Sequence, residues 1–325
     1  MSSINTNIPK NTVQLTPSER AEIRKNKIKR AIFIILMIIV PVANFFIFYL
    51  YVNLSSIMMA FEDKVTGAFT FNNLISIGQR LFGGGVGNQT ADMLAYLGNT
   101  MIYFLNSIFI MMPLITFIAY FIYKKIFMYK FFRVMFFLPS IISSVIFVTY
   151  YQQLVGENGS IYNLLNDMLG EGAFPVNAWR DRTWGRWVIL VFTIWTGFGT
   201  NLILMTGAMN RIPEEVLEAA QLDGVGVLRE LVSIILPLIW PTLTTLLVLA
   251  FTGIFTASGP LLVFDPNDTG ATKTISFYIF KLAESGGKNQ MREASATGLF
   301  FTIVGMPIIM GMKKLLERWQ DAIEY

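Results

Sequence analysis

The chain reads as an all-α integral membrane protein with about six transmembrane helices, and three observations predict this. Of its 325 residues, 54% are hydrophobic and only 14% charged, with a mean hydropathy of +0.55, whereas a soluble domain carries about 25% charged residues. Long uncharged runs recur at about 31–54, 97–123, 134–155, 187–209, 232–258 and 294–312, each able to cross a hydrocarbon layer of ~30 Å. Finally, Lys and Arg crowd against alternate ends of these runs, as the positive-inside rule requires of a multi-pass protein.

Taken in order, residues 1–15 are polar and aperiodic and are expected to be disordered. Thr16, Pro17 and Glu19 fit a capping box with proline at the first helical position. The basic helix that follows reads either as a cytosolic elbow helix or as a plain positive flank of the first span, and both readings give the same orientation. The first run is too long for a signal-peptide core, and bulky Tyr49, Leu50, Tyr51 and Val52 replace the small residues of a cleavage site, so it is expected to stay as an anchor. The densest basic clusters, Lys25 to Arg30 and Lys124 to Arg133, lie directly against helix ends. They predict that both termini, the 124–133 turn and the loop near 211–231 are cytosolic. The outer segments, about 55–96, 156–186 and 259–293, hold no domain-sized core. The run Gly83-Gly84-Gly85-Val86-Gly87 lacks the Lys-Ser/Thr of a phosphate loop and reads as a flexible outer loop.

Composition also excludes whole classes of chemistry. With no Cys and no His, there is no disulfide, thiolate metal site, cysteine nucleophile or imidazole base, and we expect neither a catalytic residue nor a bound metal. The net charge of +4 is what the anionic inner membrane surface attracts and needs no nucleic acid to explain it. A membrane enzyme would need clustered carboxylates, but the outer acids Glu62, Asp63, Glu157, Asp181, Asp265 and Asp268 are scattered. A secondary transporter would need an ionisable residue in the middle of a span, and the runs show none.

One stretch carries a specific pattern. Glu218-Ala219-Ala220, Gly224, Ile234, Leu236 and Pro237 stand at fixed spacing between the fourth and fifth runs. A short helix is expected to begin at Pro213, with Glu214 and Glu215 in its first turn, and to stop at Asp223-Gly224. Further matches are Asn99-Thr100, the series from Arg133 through Phe137-Leu138-Pro139 and Ile142-Ser143 to Gly159 and Asn163, Trp195-Thr196-Gly197-Phe198, Gly207 before Arg211-Ile212-Pro213, Ser258-Gly259-Pro260, and Ala294-Ser295-Ala296-Thr297-Gly298. Together, over roughly residues 95–313, they resemble the permease subunits of bacterial binding-protein-dependent ABC sugar importers, in the oligosaccharide and polysaccharide-fragment type of the carbohydrate-uptake branch. The pattern departs from the family at Thr256-Ala257, where that family has glycines.

The resemblance implies a type I ABC importer permease fold in the bacterial inner membrane. It implies four parts: residues 1–30 as tail and elbow helix, 31–94 as first span and outer loop, 95–313 as the importer transmembrane domain with its EAA loop at 211–231, and 314–325 as a cytosolic tail. Implied partners are a second homologous permease, two cytosolic ATPases, an extracytoplasmic substrate-binding protein, a carbohydrate and the lipid bilayer. The chain lacks a phosphate-loop signature of its own, so no cofactor is expected in it, and ATP and Mg belong to the partner ATPase. Coupling to that ATPase falls to Pro213, Glu215, Glu218, Ala219, Ala220, Asp223 and Gly224. Candidates for the sugar path combine hydroxyl-pairing groups with ring faces: Tyr150, Tyr151, Gln152, Gln153, Trp195, Asn201, Thr252, Phe255 and Thr256. Each has a bland alternative as an interface-belt aromatic or as interhelical glue.

Overall fold

A computed structural model of the chain describes residues 17–82, 88–255, 260–266 and 272–321. Among these, everything regular is helical apart from one antiparallel bridge between Glu62 and Phe69. The expectations for residues 1–16 and for the glycine run 83–87 lie outside the described residues. The chain divides into two units, Met1–Met58 and Met59–Tyr325.

In the first unit α1 (Pro17–Asn44) opens on the expected proline and continues through a π-helical stretch, Phe45–Tyr51, into α2 (Val52–Ala60). Pro41 lies inside α1, and the wider π turns follow it, as they do where the i to i−4 ladder has lost a donor. Arg24–Ala60 is long and apolar enough to cross a membrane. Side chains 24–54 are exposed all round, the surface of a helix whose solvent is lipid.

The second unit starts with an amphipathic helix, α3 (Asn72–Phe82), which buries Asn73, Ile77 and Leu81 at a spacing of four. The second span, Asp92–Tyr123, is built from α4 (Asn88–Leu105), a π stretch at Asn106–Met111 and α5 (Met112–Tyr123). A tight turn leads into α6 (Tyr129–Ile141), α7 (Ser144–Val155) and α8 (Ser160–Leu169). The fourth span is one straight helix, α9 (Gly185–Met209). After it come α10 (Glu214–Leu222), α11 (Val227–Glu230), a π stretch at Leu231–Ile235, α12 (Leu236–Leu238) and α13 (Trp240–Thr252). The last elements are α14 (Leu261–Phe264), α15 (Ile275–Glu284) and α16 (Lys288–Asp321).

Two of the six predicted spans are not straight. Tyr129–Ile141 and Ser144–Leu169 meet at 108°, and Val227–Leu238 and Trp240–Thr252 at 78°. Proline lies close to both bends. Pro139 lies inside the last turn of α6, and the backbone turns extended at Ile142 (ψ 141°) and Ser143 (ψ 128°). In the fifth span Pro237 and Pro241 flank Ile239, where the helix breaks (φ −93°, ψ 2°). Each ring lacks an N–H and crowds the carbonyl one turn back.

Three apolar clusters hold the second unit together. One joins the second, fourth and fifth spans through Ile115, Ala119, Leu202, Met205, Met209, Ile235 and Ile239. A second, rich in rings, packs Phe147, Tyr151, Phe192 and Phe264. The third sets Ile77 and Leu81 of α3 against Met93, Ile275, Ala296 and Phe301. Close approach of α6 and α9 depends on Gly199, where a Cβ would collide with the Ser140 side chain, the use of small residues expected at helix interfaces in lipid.

A charged clamp reinforces the third cluster. Glu293 of α16 pairs with Lys64 at 2.7 Å and with Arg80, and accepts a hydrogen bond from the Tyr278 hydroxyl at 2.8 Å; Arg292 pairs with Glu62 at 2.8 Å. Burial opposes the Arg80 charge, but the hydrogen bond and charge of Glu293, with help from Tyr278, together outweigh it and hold the guanidinium above its usual range. Burial, and then the Glu293 carboxylate, push the Tyr278 hydroxyl up as well. Substituting Glu293→Gln strands two cations beside a neutral amide. The variant is expected to lose about 2 kcal/mol of stability, less than the loss for a fully buried pair, measured as a lowered thermal midpoint in detergent against Glu317→Gln, whose carboxylate is exposed.

Candidate coupling loop and translocation path

The loop between the fourth and fifth spans is a rigid element. Pro213 stands one position before the first helical residue, with extended ψ (138°), and Glu214 and Glu215 occupy the first turn of α10, where their charge complements the helix dipole. The other end closes in a Schellman motif: Val225 N–H donates to the Ala220 carbonyl at 3.0 Å and Gly224 N–H to that of Gln221 at 3.1 Å. Gly224 has φ +68°, and a Cβ built on it would meet nothing within 4 Å. Left-handed backbone, rather than lack of room, therefore demands glycine here.

Both ends of the loop are embedded. Ile212 before α10 and Leu231 after α11 are buried in the cluster shared by the second, fourth and fifth spans, and Leu217 packs against it. Glu215, Glu218, Ala219 and Asp223 are exposed. Glu218 makes no ion pair or hydrogen bond among the described residues. Ala220, expected on the partner-facing surface, is instead 4% exposed, so its small side chain lets α10 seat on its own spans. The sequence reading missed Leu222, which is 89% exposed and one turn beyond Glu218 on the same face; its spacing from Glu215 and Glu218 was the available signal. It also missed Glu230, 4% exposed and paired with Lys124 at 2.7 Å.

The path candidates separate into two sets. Tyr151 is buried and donates to the Val188 carbonyl at 3.1 Å, Gln152 donates to that of Phe264 at 3.0 Å, Asn201 to that of Gly197 at 3.2 Å, and Thr252 to that of Leu249 at 2.8 Å. These polar groups serve the chain's own backbone. Trp195 stacks at an angle on Phe147, 4.8 Å between centroids. Tyr150 and Gln153 are exposed on the other side of α7. The Phe255 side chain, Thr256 and most of Ser258-Gly259-Pro260 lie outside the described residues.

A cavity of about 160 Å³ opens where the sequence reading did not look, beside the second span. Thr100, Tyr103, Phe104 and Ser107 line it on one side and Ala250, Gly253, Ile254 and Thr274 on the other. The Tyr103 hydroxyl is buried without a hydrogen-bond partner. Thr100 on the cavity wall belongs to the Asn99-Thr100 pair. Asn99 donates to the Lys273 carbonyl at 2.9 Å and accepts from Arg186 at 2.9 Å, while the Thr100 hydroxyl accepts from the Ile275 N–H at 3.0 Å. One dipeptide thus ties the second span to α9 and to the start of α15. A second, polar cavity of about 250 Å³ is lined by Arg80, Asp92, Tyr96, Tyr278 and Glu293.

Known proteins are similar to this chain. Residues 81–321 match the family described as binding-protein-dependent transport system inner membrane component. The arabinooligosaccharides transport system permease protein AraP of Bacillus subtilis is 22% identical over 280 residues, covering 84% of this chain and 85% of that protein. A probable ABC transporter permease of Mycoplasma genitalium is 30% identical over 197 residues, 57% of this chain and 56% of that one. The maltose/maltodextrin permease MalF of Escherichia coli K12 is 30% identical over 188 residues, 54% of this chain and 35% of MalF, so the chain matches only part of either of these two relatives. In structure, the chain is similar to one from a bacterial ABC transporter involved in import of the acidic polysaccharide alginate, with a TM-score of 0.74 and 23% identity over 90% of this chain and 98% of that one. The all-helical fold, with four straight and two bent candidate spans, is therefore that of ABC importer permeases, and the chain belongs to the family of binding-protein-dependent transport system inner membrane components.

Proposed function

We propose that this chain is one membrane half of an ATP-driven importer for a carbohydrate, an oligosaccharide in particular, and that it sits in the inner membrane with both termini in the cytosol. The observation that carries this reading is the loop of α10: a short capped helix in a loop whose two ends, Ile212 and Leu231, are set in the bundle core, with one helix face, Glu215, Glu218, Ala219 and Leu222, left exposed. A helix held this way suits docking into a pocket on a cytosolic ATPase, with Glu218 offered to a cation there and Leu222 to an apolar wall. The permease pairs with a second, homologous permease above two ATPases, and a binding protein delivers the sugar on the outer side. ATP and Mg stay with the ATPases.

The names of the two sugar-linked relatives support the substrate class, as does the absence of an ionisable residue from the middle of the long apolar runs. Sugar hydroxyls require hydrogen-bond partners and ring faces, and the cavity beside Tyr103 and Ser107 offers the first, with Phe104 the second. Among the described residues, Tyr150, Gln153 and Trp195 remain the path candidates whose polar groups are not taken up by a neighbouring backbone carbonyl.

The test is co-expression with candidate neighbouring permease and ATPase subunits, followed by ATPase assays with the binding protein and maltodextrins or arabino-oligosaccharides. Assembly with sugar-stimulated hydrolysis supports the reading, whereas uptake without any associated ATPase makes a secondary transporter the better account. Within the assembled complex, Glu218→Ala is expected to weaken ATPase retention by about 0–1 kcal/mol, the contribution of a rim ion pair, while Leu222→Asp, placing a charge against an apolar wall, weakens it by about 2 kcal/mol; retention on an affinity column at rising salt reads both. Independently of any partner, Gly224→Val is expected to lower the detergent melting temperature of the isolated chain, by about 1–2 kcal/mol in stability. Gly224→Asn, which tolerates left-handed backbone, lowers it far less, and equal losses from the two would contradict the role given to φ.

A further inference from the structure

We propose that the Lys124–Glu230 ion pair is the positioning contact through which movement of α10 reaches the turn between the second and third spans; this rests on the importer reading above. Glu230 ends α11 and is 4% exposed, with its carboxylate 2.7 Å from the Lys124 ammonium. The neighbours in sequence that share its burial, Leu231 and Ile235, are apolar. A buried ion pair is commonly no more stabilising than an apolar pair of similar volume. Stability alone therefore gives no reason for a carboxylate at this position.

The backbone around the pair supplies a reason. α11 is only four residues long. It is separated from α10 by Gly226, whose backbone is extended (ψ 159°), but runs on through the π stretch Leu231–Ile235 into α12; the span then bends by 78° at Ile239. Helix continuity is broken on the α10 side only: Glu230, Leu231, Ile235 and Leu236 all keep right-handed helical backbone, so Val227–Leu238 is one helix that starts the fifth span. Lys124 stands on a stiffer support. It caps α5, and the turn after it holds Lys125 and Met128 in left-handed backbone (φ 53° and 60°), conformations a side-chain-bearing residue keeps only when its surroundings enforce them. Tyr120 backs the site with its ring 6.0 Å from the Lys124 ammonium, and its hydroxyl is buried without a hydrogen-bond partner. An ion pair therefore joins the start of the fifth span, set off from α10 by an extended glycine, to a stiff turn. When α10 is pulled, Val225 and Gly226 move α11, and Glu230 carries that movement to Lys124 and so to α6.

The assembled complex tests this through the ratio of binding-protein-stimulated to basal ATP hydrolysis, with the maltodextrin and arabino-oligosaccharide probes used above. A merely structural role lowers the yield of complex but leaves that ratio per complex unmoved. Glu230→Gln and Lys124→Met are each expected to lower the ratio about fivefold or more, the lower end of common coupling between sites, and the swap Lys124→Glu with Glu230→Lys is expected to restore most of it. Should the single variants fail to assemble, the double variant Lys124→Met with Glu230→Met, which leaves no charge alone, is expected to assemble with the same lowered ratio. Full stimulation in the single or the double variant, or a swap no better than the singles, overturns the proposal while leaving the importer reading standing. A wild-type chain that recruits no ATPase, or shows no stimulation, overturns both.

Discussion

The packing that the rest of this structure depends on is the apolar cluster in which both ends of the α10 loop are set. Ile212 enters it from the fourth span and Leu231 leaves it toward the fifth, against Ile115, Ala119 and Ile122 of the second. No water competes for these surfaces, so association rests on close packing and not on the hydrophobic effect that would drive it in solution. Close-packed interiors resist compression and pass strain on. A loop whose two ends, Ile212 and Leu231, are fixed in one such cluster cannot move independently of the spans. That property, more than the acidic first turn, makes α10 suited to transmitting force.

Lipid imposes the second constraint, that backbone polar groups must find partners inside the protein. The two bent spans satisfy it in a consistent way. Their breaks fall at Ile142 and Ser143, one turn after Pro139, and at Ile239, between Pro237 and Pro241, so each irregular stretch lies close to a residue that has no N–H to satisfy. Side-chain hydroxyls take up much of the remaining demand. Thr116, Thr206 and Thr302 each donate to the carbonyl four residues back, which lets a polar residue lie in an apolar helix without a partner on another span. Counting polar residues in a span therefore overstates how many are available to a solute.

The same effect separates what the sequence made legible from what it did not. Six apolar runs, the first-turn acids of α10 and its glycine stop are local signals, readable from period, length and turn chemistry, and the structure has helices and a Schellman turn at those places. The Asn99-Thr100 pattern was legible as a motif but not as a mechanism, because its partners Arg186, Lys273 and Ile275 are distant in sequence. Tyr151 and Gln152 looked available for sugar only because the carbonyls of Val188 and Phe264 that engage them cannot be foreseen from residue type. Ala220 was read by its size, which suits a partner's surface and its own spans equally, and only the rotation of α10 decides between them. Glu230 escaped notice because a lone carboxylate at a helix end normally reads as solvated.

The charges of the described chain lie almost wholly at the ends of its spans, and the two ends are built differently. At the end of the second unit that carries Glu293, charges form a network: one carboxylate serves Lys64, Arg80 and a phenol, and the next residue, Arg292, takes Glu62. Such sharing holds elements in one arrangement, because moving any member exposes several others to an apolar surrounding. At the α10 end a single pair, Lys124 with Glu230, bridges the bundle and the loop, and the exposed acids of α10 are left unengaged. A networked end is suited to staying put while a sparsely tied end is suited to moving. In the importer reading proposed above, the networked end is the side that would receive a loaded binding protein and the sparsely tied end the side that would receive the work of ATP.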